Sequence, residues 1–304
     1  MEKEYTMVLD IRKITPDVIR LAPKSWRDAM VRPDLPAVTT AAVQRQAVER
    51  VILRMRDQLD VPLTLDEMAE IAHLSRFHFN RVFAAITGIS PRKFLATLRL
   101  EYAKRLLLTS EMSITEVCFE TGYSSLGTFV THFTTLVGVT PKAWRKLPQE
   151  MEISLETVAG LLATARMMPG QQSGQPISGH VTTPDGFKGM VFVGLFKSNI
   201  PQSDPCTGDI LMGSSEYHLP LVPDGTYFTL AVAIDAPLDP INFFIPDTMF
   251  RGRSGPIVIE DGKVTGSGDL DIRAPRLIDP PILIALPYLF VRYLSMSAAH
   301  YDRA

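Results

Sequence analysis

Two short stretches in the first half of the sequence hold side chains that could contact DNA bases from one face of a helix. They contain Arg76, Phe77, Asn80 and Arg81, and Leu126, Gly127, Val130 and Thr131. A guanidinium can pair with guanine, a carboxamide can pair with adenine, and apolar groups can meet the methyl of thymine. This chemistry requires that each stretch lies on an exposed helix face that enters the major groove.

Both stretches fall in the second half of a helical unit that occurs twice. The first copy runs from Leu65 to Phe83 and is followed by Gly88-Ile-Ser-Pro. The second copy runs from Ile114 to Phe133 and is followed by Gly138-Val-Thr-Pro. In each copy apolar residues recur at helical spacing, a serine-bearing turn follows, and glycine and proline stop the second helix. The pattern predicts two helix-turn-helix units in tandem, with an ordinary helical bundle as the alternative.

An alignment of the copies separates the predicted cores from the exposed faces. We align Ser75 with Ser124 and place a one-residue insertion after this pair. Cys118 takes the position of Ala69, which predicts a small core residue rather than a redox sensor. The residues predicted to face the two cores are Phe79, Val82, Phe83 and Ile86, and Phe129, Phe133, Leu136 and Val137.

Further helices are predicted around these units. An apolar stripe that starts at Val48 predicts a helix ended by Pro62. Thr64 is the predicted N-cap of the next helix, and Glu67 completes a capping box. The stretch Pro91–Thr109 predicts a rigid connecting helix with one apolar face.

Composition changes along the chain and predicts its domains. No glycine precedes Gly88, whereas fifteen of 19 glycines and fifteen of 23 prolines follow residue 150. The fold class is therefore multidomain α and β, with an all-α tandem helix-turn-helix module before an all-β sandwich-like domain. The predicted boundaries are a flexible arm over 1–40, the DNA-binding domain over 41–148, a helix and linker over 149–176, and an accessory domain over 177–304.

Charge and cysteine content restrict the class of protein. Residues 1–150 carry 21 basic against 17 acidic side chains, and residues 151–304 carry 10 against 16. A basic front and an acidic back fit nucleic acid on the first half only. Two isolated cysteines and scattered histidines predict no metal site, no disulfide framework, no cofactor and no catalytic residues. The first residues do not form a secretory signal and no apolar run spans a bilayer, so we expect a cytoplasmic protein without membrane contact.

The tandem units resemble the AraC-type (AraC/XylS) family of bacterial transcription regulators. The resemblance covers about Ala47 to Lys146 and includes both glycine–proline stops and the connecting helix in the family's order. It implies two recognition helices in successive major grooves, about 34 Å apart on one side of the duplex. It also implies control of transcription initiation. The implied partners are double-stranded DNA and RNA polymerase, with a homodimer and a small-molecule effector as further candidates.

The resemblance transfers base-reading positions to Phe77, Asn80 and Arg81. The second helix departs from the family's pattern, because apolar and small residues stand where many members place Gln, Ser and Arg. We therefore expect the first unit to supply most direct base contacts and the second to supply phosphate contacts and methyl packing. The predicted DNA-binding residues are Arg76, Phe77, Asn80, Arg81, Ser125, Leu126, Gly127, Thr128, Val130, Thr131, His132, Lys142 and Arg145. For the charged members the alternative is a solvated helix surface.

The second half has the pattern of short strands separated by turns. Strands are predicted at 177–183, 190–196, 210–212, 217–221, 227–234, 257–259 and 270–273, while 237–256 is too irregular to assign. The segments around Pro184-Asp-Gly and Pro223-Asp-Gly resemble a carboxypeptidase-regulatory or transthyretin-like β-sandwich. Such a domain would bind an effector or hold a dimer together, and a gyrase-inhibitor-like domain is the rival fold. The alternative function is a ligand-binding or interaction protein whose helical module no longer reads DNA.

Overall fold

The computed structural model describes residues 40–150, 174–202, 204–235, 244, 249–286 and 289. The chain divides into two compact units, and the boundary falls between Phe129 and Val130, inside a helix. The predicted helix over 155–165 and residues 1–39 of the predicted arm lie outside the described residues. Each unit is described by itself below.

The described part of residues 40–150 is helical. Its helices are α1 (Thr40–Asp57), α2 (Leu65–Ala72), α3 (Arg76–Thr87), α4 (Pro91–Thr109), α5 (Ile114–Glu120), α6 (Leu126–Val137) and α7 (Pro141–Glu150). The first helix already ends at Asp57, so the expectation that Pro62 ends it is wrong. The connecting helix has the predicted bounds.

Reciprocal side-chain hydrogen bonds fix the starts of α2 and α5. The Thr64 backbone N–H donates to Glu67 Oε2 at 2.7 Å, and the Glu67 N–H donates to the Thr64 hydroxyl at 3.3 Å. Ser113 and Glu116 form the same arrangement at 2.6 and 3.2 Å. Each box satisfies amide groups that have no partner within the helix. The predicted capping box at Thr64 is confirmed.

Aromatic side chains form the core of the first helix-turn-helix unit. Phe79 and Phe83 are fully buried and contact each other edge to face at 5.5 Å between ring centroids, and Phe83 contacts Phe94 of α4 in the same way. The prediction of a single apolar face on α4 is incomplete, because Ala103 and Lys104 are buried as well. The connecting helix is therefore enclosed on more than one side.

Two sheets build the described part of the second half. Their strands are β1 (Gln175–Thr182), β2 (Met190–Phe196), β3 (Thr207–Met212), β4 (Ser215–Val222), β5 (Gly225–Ile234), β6 (Phe250–Glu260), β7 (Lys263–Thr265) and β8 (Leu270–Asp271). The orders are β4-β1-β8 and β3-β2-β5-β6-β7. The sequence missed the first part of β6, where charged and glycine residues hide the strand pattern.

The two sheets bury one shared core. It contains Val181, Tyr217 and Leu219 from the smaller sheet together with Val191, Val193 and others from the larger one. Tyr217 keeps its hydroxyl satisfied by donating to the Gly268 carbonyl at 2.7 Å. Two sheets that share one core agree with the predicted all-β second half, and the β-sandwich stays a prediction. Tyr217 and Tyr227 thus belong to the core and not to a ligand pocket.

Candidate nucleic-acid interface

Helix α3 presents one buried and one exposed face. Phe79, Val82 and Phe83 point into the core, so the residues between them must face outward. Phe77 is 87% exposed, which is far from its usual place inside a protein. The helix thus displays a large aromatic side chain at its N-terminal end without a partner in the described structure.

Polar groups surround this aromatic side chain. Arg76, Asn80 and Arg81 are exposed. Arg76 forms a long ion pair with Asp66 at 3.7 Å, and Arg81 Nη2 lies 3.2 Å from His78 Nδ1. Exposed contacts of this kind contribute little to stability and exchange readily for another partner. The amide, two guanidinium groups and an aromatic ring therefore share one accessible surface.

The corresponding surface of α6 is smaller and less polar. Leu126, Gly127, Thr128, Thr131 and His132 are exposed, whereas Val130 is half-buried and contributes less surface than predicted. Phe129 and Phe133 are fully buried, and Val137 is 1% exposed. The face between them carries hydroxyl, methyl and imidazole groups and has no guanidinium. The exposed faces of the two predicted recognition helices therefore differ in chemistry, and their unequal roles in DNA binding stay a prediction.

The structure corrects the alignment of the two turns. The Phe79 N–H donates to the Ser75 carbonyl, and the Phe129 N–H donates to the carbonyl of Ser125, not Ser124. Ser125 also accepts a hydrogen bond from the Thr128 N–H at 3.4 Å. The inserted residue therefore lies before this serine, in the turn that contains Gly122. Ser125 and not Ser124 is the counterpart of Ser75.

Ser75 was not among the predicted site residues, although its position at the start of α3 suggests a role. It is exposed, and it forms no side-chain hydrogen bond to the helix that it caps. In general, a serine hydroxyl and the first N–H groups of a helix can donate hydrogen bonds to a phosphate. The sequence could have indicated Ser75 as a candidate, because this serine directly precedes the predicted recognition helix.

The basic residues of α7 remain candidates for phosphate contacts. Lys142 and Lys146 are exposed, and Arg145 is half-buried. Thr140 caps this helix by accepting from the Ala143 N–H at 3.1 Å. Trp144 anchors it as a fully buried side chain.

The remaining chemistry of the described residues is limited. No group of three or more His, Cys, Asp or Glu side chains in the described segments could hold a metal ion. Cys118 is buried, and burial raises the pKa of its thiol, which fits the predicted core role. None of the helices in the described ranges is both long enough and apolar enough to span a bilayer.

Comparison with known proteins identifies the class of the helical segment. Residues 68–147 match a family model described as a helix-turn-helix domain. The MmsAB operon regulatory protein of Pseudomonas aeruginosa is 35% identical over 98 residues, which cover 32% of this chain and 32% of that protein. The transcriptional activator RhaR of Salmonella arizonae is 27% identical over 119 residues, or 39% of this chain and 41% of that protein. The chain thus spans less than half the length of these curated relatives.

Solved structures give matches that cover about a third of the chain. The DNA-binding domain of AdpA, solved with a target DNA, is 31% identical, and the match covers 34% of this chain and 94% of that chain with a TM-score of 0.33. A transcriptional regulator with an AraC-type DNA-binding domain from Chromobacterium violaceum is 26% identical, covers 35% of this chain and 96% of that chain, and has a TM-score of 0.34. The helical segment is a helix-turn-helix domain of the AraC type.

Proposed function

We propose that this protein is a sequence-specific transcription regulator that binds double-stranded DNA through α3 and α6. The observation that carries the proposal is the exposed surface of α3. Phe77, Asn80 and Arg81 share this face of the helix, and buried phenylalanines anchor the opposite face. An amide and a guanidinium on one accessible helix face provide the donors that read adenine and guanine in the major groove. The AraC-type domain supplies a fold in which such a helix docks there.

In this proposal the two helices contribute unequally. Arg81 and Asn80 read bases, Phe77 packs against a thymine methyl, and Arg76 binds a phosphate. On α6, Thr131 and Thr128 hydrogen-bond to DNA while Leu126 packs against methyl groups. Ser125, Gly127, Val130, His132, Lys142 and Arg145 complete the proposed interface.

The proposal also assigns roles to the segments. Residues 41–148 bind DNA, and residues 177–304 form an accessory domain that binds an effector or joins two copies of the chain. RNA polymerase is a further proposed partner, which the protein contacts if it activates transcription. The transthyretin-like resemblance remains a prediction about this accessory domain.

Selection of bound duplexes from a random pool tests the proposal directly. The full chain is used near physiological salt, since affinity without a stated salt concentration is uninterpretable. We expect an enriched motif with two parts about one helical turn apart. Enrichment of only one short motif would limit direct base contacts to α3. No enrichment, with or without added ligand, would contradict the proposal and favour an interaction protein that does not read DNA.

A variant of Arg81 then tests the assigned interface on the selected duplex. Arg81→Ala is expected to weaken specific binding by about 1–3 kcal/mol, because a base-reading guanidinium is lost. Arg50→Ala is the matched control, since Arg50 is an exposed arginine of α1 outside both helix-turn-helix units. Equal losses in the two variants would mean that Arg81 acts only through its charge.

A further inference from the structure

The larger sheet has two apolar faces. One face packs on the smaller sheet through Val191, Val193 and Ala233. Because side chains alternate along a strand, Phe192, Gly194 and their cross-strand partners point the other way. A second layer must therefore cover this opposite face.

The cover is the segment that follows β8. Ile282, Ile284 and Leu286 are each less than 5% exposed. Hydrogen bonds hold the segment in place: for example, the Leu283 N–H donates to the Pro201 carbonyl at 3.2 Å, and Arg251 Nη1 donates to the Pro280 carbonyl at 3.2 Å. The cover thus closes one side of a cavity of about 120 Å³ over the sheet.

Strand register organises the floor of this cavity into two rows. In the first row Phe192 lies between Ile210 and Val232, and Val232 pairs with Arg251. In the second row Gly194 lies between Gly208 and Leu230, and Leu230 pairs with Arg253. Direct cross-strand partners on one face have neighbouring side chains. Each row therefore runs from an apolar end to an arginine.

The missing side chain of Gly194 leaves room in the second row that neighbouring cavity-lining side chains fill. A Cβ atom at Gly194 would lie 2.6 Å from the ring of Phe196 and 3.2 Å from Pro205. Phe196 and Pro205 therefore occupy the space above this position and line the cavity. An engineered cavity of about 150 Å³ with apolar walls stays dry and binds benzene. A body the size of one aromatic ring or a short branched chain fits the space over this floor.

The acidic groups at the cavity are already engaged. Asp279 accepts two hydrogen bonds of 2.8 Å from Arg273 and one of 2.7 Å from the Arg276 N–H. Burial raises the pKa of Asp279, but these hydrogen bonds outweigh burial and leave the pKa below its ordinary value. Asp209 accepts from the N–H groups of Ile210 and His218.

Arg253 differs from these groups. Its side chain is exposed, and it forms neither a hydrogen bond nor an ion pair with another residue of the described segments. It therefore places an available guanidinium at the open end of an apolar cavity. A guanidinium binds a carboxylate through two parallel, charge-assisted hydrogen bonds. A neutral ligand group of the same shape gains no such attraction from the positive charge of the guanidinium.

We propose that this cavity binds a small organic carboxylate whose apolar body, the size of a single ring, lies in the cavity against Phe196 and Pro205 and whose carboxylate pairs with Arg253. The assignment of this ligand as an effector rests on the proposed regulatory function. Ligand binding itself is measured without DNA, so failure of either proposal can be recognised separately. Binding with no effect on DNA affinity would overturn only the effector role.

Benzoate is the probe, and benzamide is its neutral counterpart of nearly the same shape. Isothermal calorimetry on the full chain at neutral pH compares both ligands with the unsubstituted protein, Arg253→Met and Arg276→Met. We expect benzoate to bind about tenfold or more tightly than benzamide, because only benzoate forms charge-assisted hydrogen bonds. Arg253→Met is expected to remove this preference. Arg276→Met is the matched control, since Arg276 is exposed and does not line the cavity.

Methyl spectra locate the bound ligand. With isoleucine δ1-methyl labels, benzoate is expected to shift the signals of Ile210, Ile282 and Ile284, which line the cavity. The signals of Ile257 and Ile259, which belong to the core on the other side of the sheet, serve as controls. The proposal is overturned if neither ligand binds in the millimolar range, if benzamide binds as tightly as benzoate, if Arg253→Met keeps the preference, or if the cavity methyl signals do not move.

Discussion

The backbone of Gly122 lies directly against the guanidinium of Arg99. A Cβ atom at Gly122 would be 2.8 Å from Arg99 Cζ and 2.5 Å from the carbonyl oxygen of Leu59. Arg99 itself donates from Nε to that carbonyl at 2.8 Å and from Nη2 to the Val61 carbonyl at 3.1 Å. Through the single side chain of Arg99, the connecting helix α4 thus contacts both the loop before α2 and the turn between α5 and α6.

Replacement of Gly122 by alanine is expected to destabilise the helical module by about 2 kcal/mol or more. Gly122 has a φ of +76°, which an L side chain rarely adopts, and the new methyl group would collide with a backbone carbonyl. Urea unfolding followed by circular dichroism at 222 nm measures the loss. Gly127→Ala is the matched control, because a Cβ atom at Gly127 in α6 would come no closer than 3.9 Å to the Ser125 hydroxyl, so it is expected to stabilise by up to about 1 kcal/mol. A similar effect of both substitutions would contradict the steric argument.

The capping boxes predict a dependence of stability on acid pH. Backbone and side-chain hydrogen bonds from Thr64 lower the pKa of Glu67, and those from Ser113 lower the pKa of Glu116. A lowered folded-state pKa contributes stability that is present above the ordinary value of 4.5 and is lost as the pH falls through the lowered pKa. Glu67→Gln is therefore expected to lower the melting temperature at pH 7 and to change it less near pH 3. Glu111→Gln, an exposed site outside the helices, should show no such difference, and an equal response would disprove the capping contribution.

Removal of the hydroxyl that completes each box tests the same contacts at neutral pH. Thr64→Ala and Ser113→Ala are each expected to cost about 1 kcal/mol of stability, because an N-cap acceptor is lost. Ser75→Ala should cost less, since the Ser75 side chain forms no capping hydrogen bond. Chemical unfolding of the three variants gives the comparison. A loss at Ser75 equal to that at Thr64 would refute this ranking.

Lys104 predicts a stability change at alkaline pH. Its side chain is 2% exposed, and burial lowers its pKa to about 7, while nearby Glu101 partly opposes this shift. Between pH 7 and 10.5 the unfolded chain keeps the proton that the folded chain releases, so this lysine makes stability rise with pH in that window. Lys104→Met is expected to stabilise by about 1–3 kcal/mol at pH 6 and by less at pH 9. Lys93→Met on the same helix is the control, and a benefit that does not depend on pH would exclude the titration of Lys104 as its cause.

The unequal recognition helices predict an order of losses on the selected duplex. Asn80→Ala should weaken binding by about 1–3 kcal/mol, whereas Thr131→Ala should weaken it by less, since one hydroxyl replaces a two-point amide contact. Fluorescence anisotropy at two salt concentrations measures both losses. A greater loss for Thr131 would reverse the assignment of direct readout to α3.

Local patterns in the sequence determined much of the helical segment. The box of Thr64 and Glu67, the proline at the start of α4 and the apolar spacing of α3 act within a few residues, so they could be interpreted without any contact partner. The exposed position of Phe77 follows from the same helical spacing, because Phe79 must face the core. Short, continuously apolar strands such as β2 were predicted for a similar reason, because the run of apolar residues is itself a local pattern.

Only tertiary structure decided the features that join distant parts of the chain. Strand register places Arg253 beside Leu230 and Gly194 beside Gly208, and a shift by one residue would turn these side chains to the opposite face. The position of the inserted residue before Ser125 depends on which carbonyl closes the first turn of α6. The sequence determined which residues form helices, strands and exposed faces, because these depend on nearby residues. The cavity and the contact of Gly122 with Arg99 depend on contacts between residues far apart in sequence, and no local pattern records them.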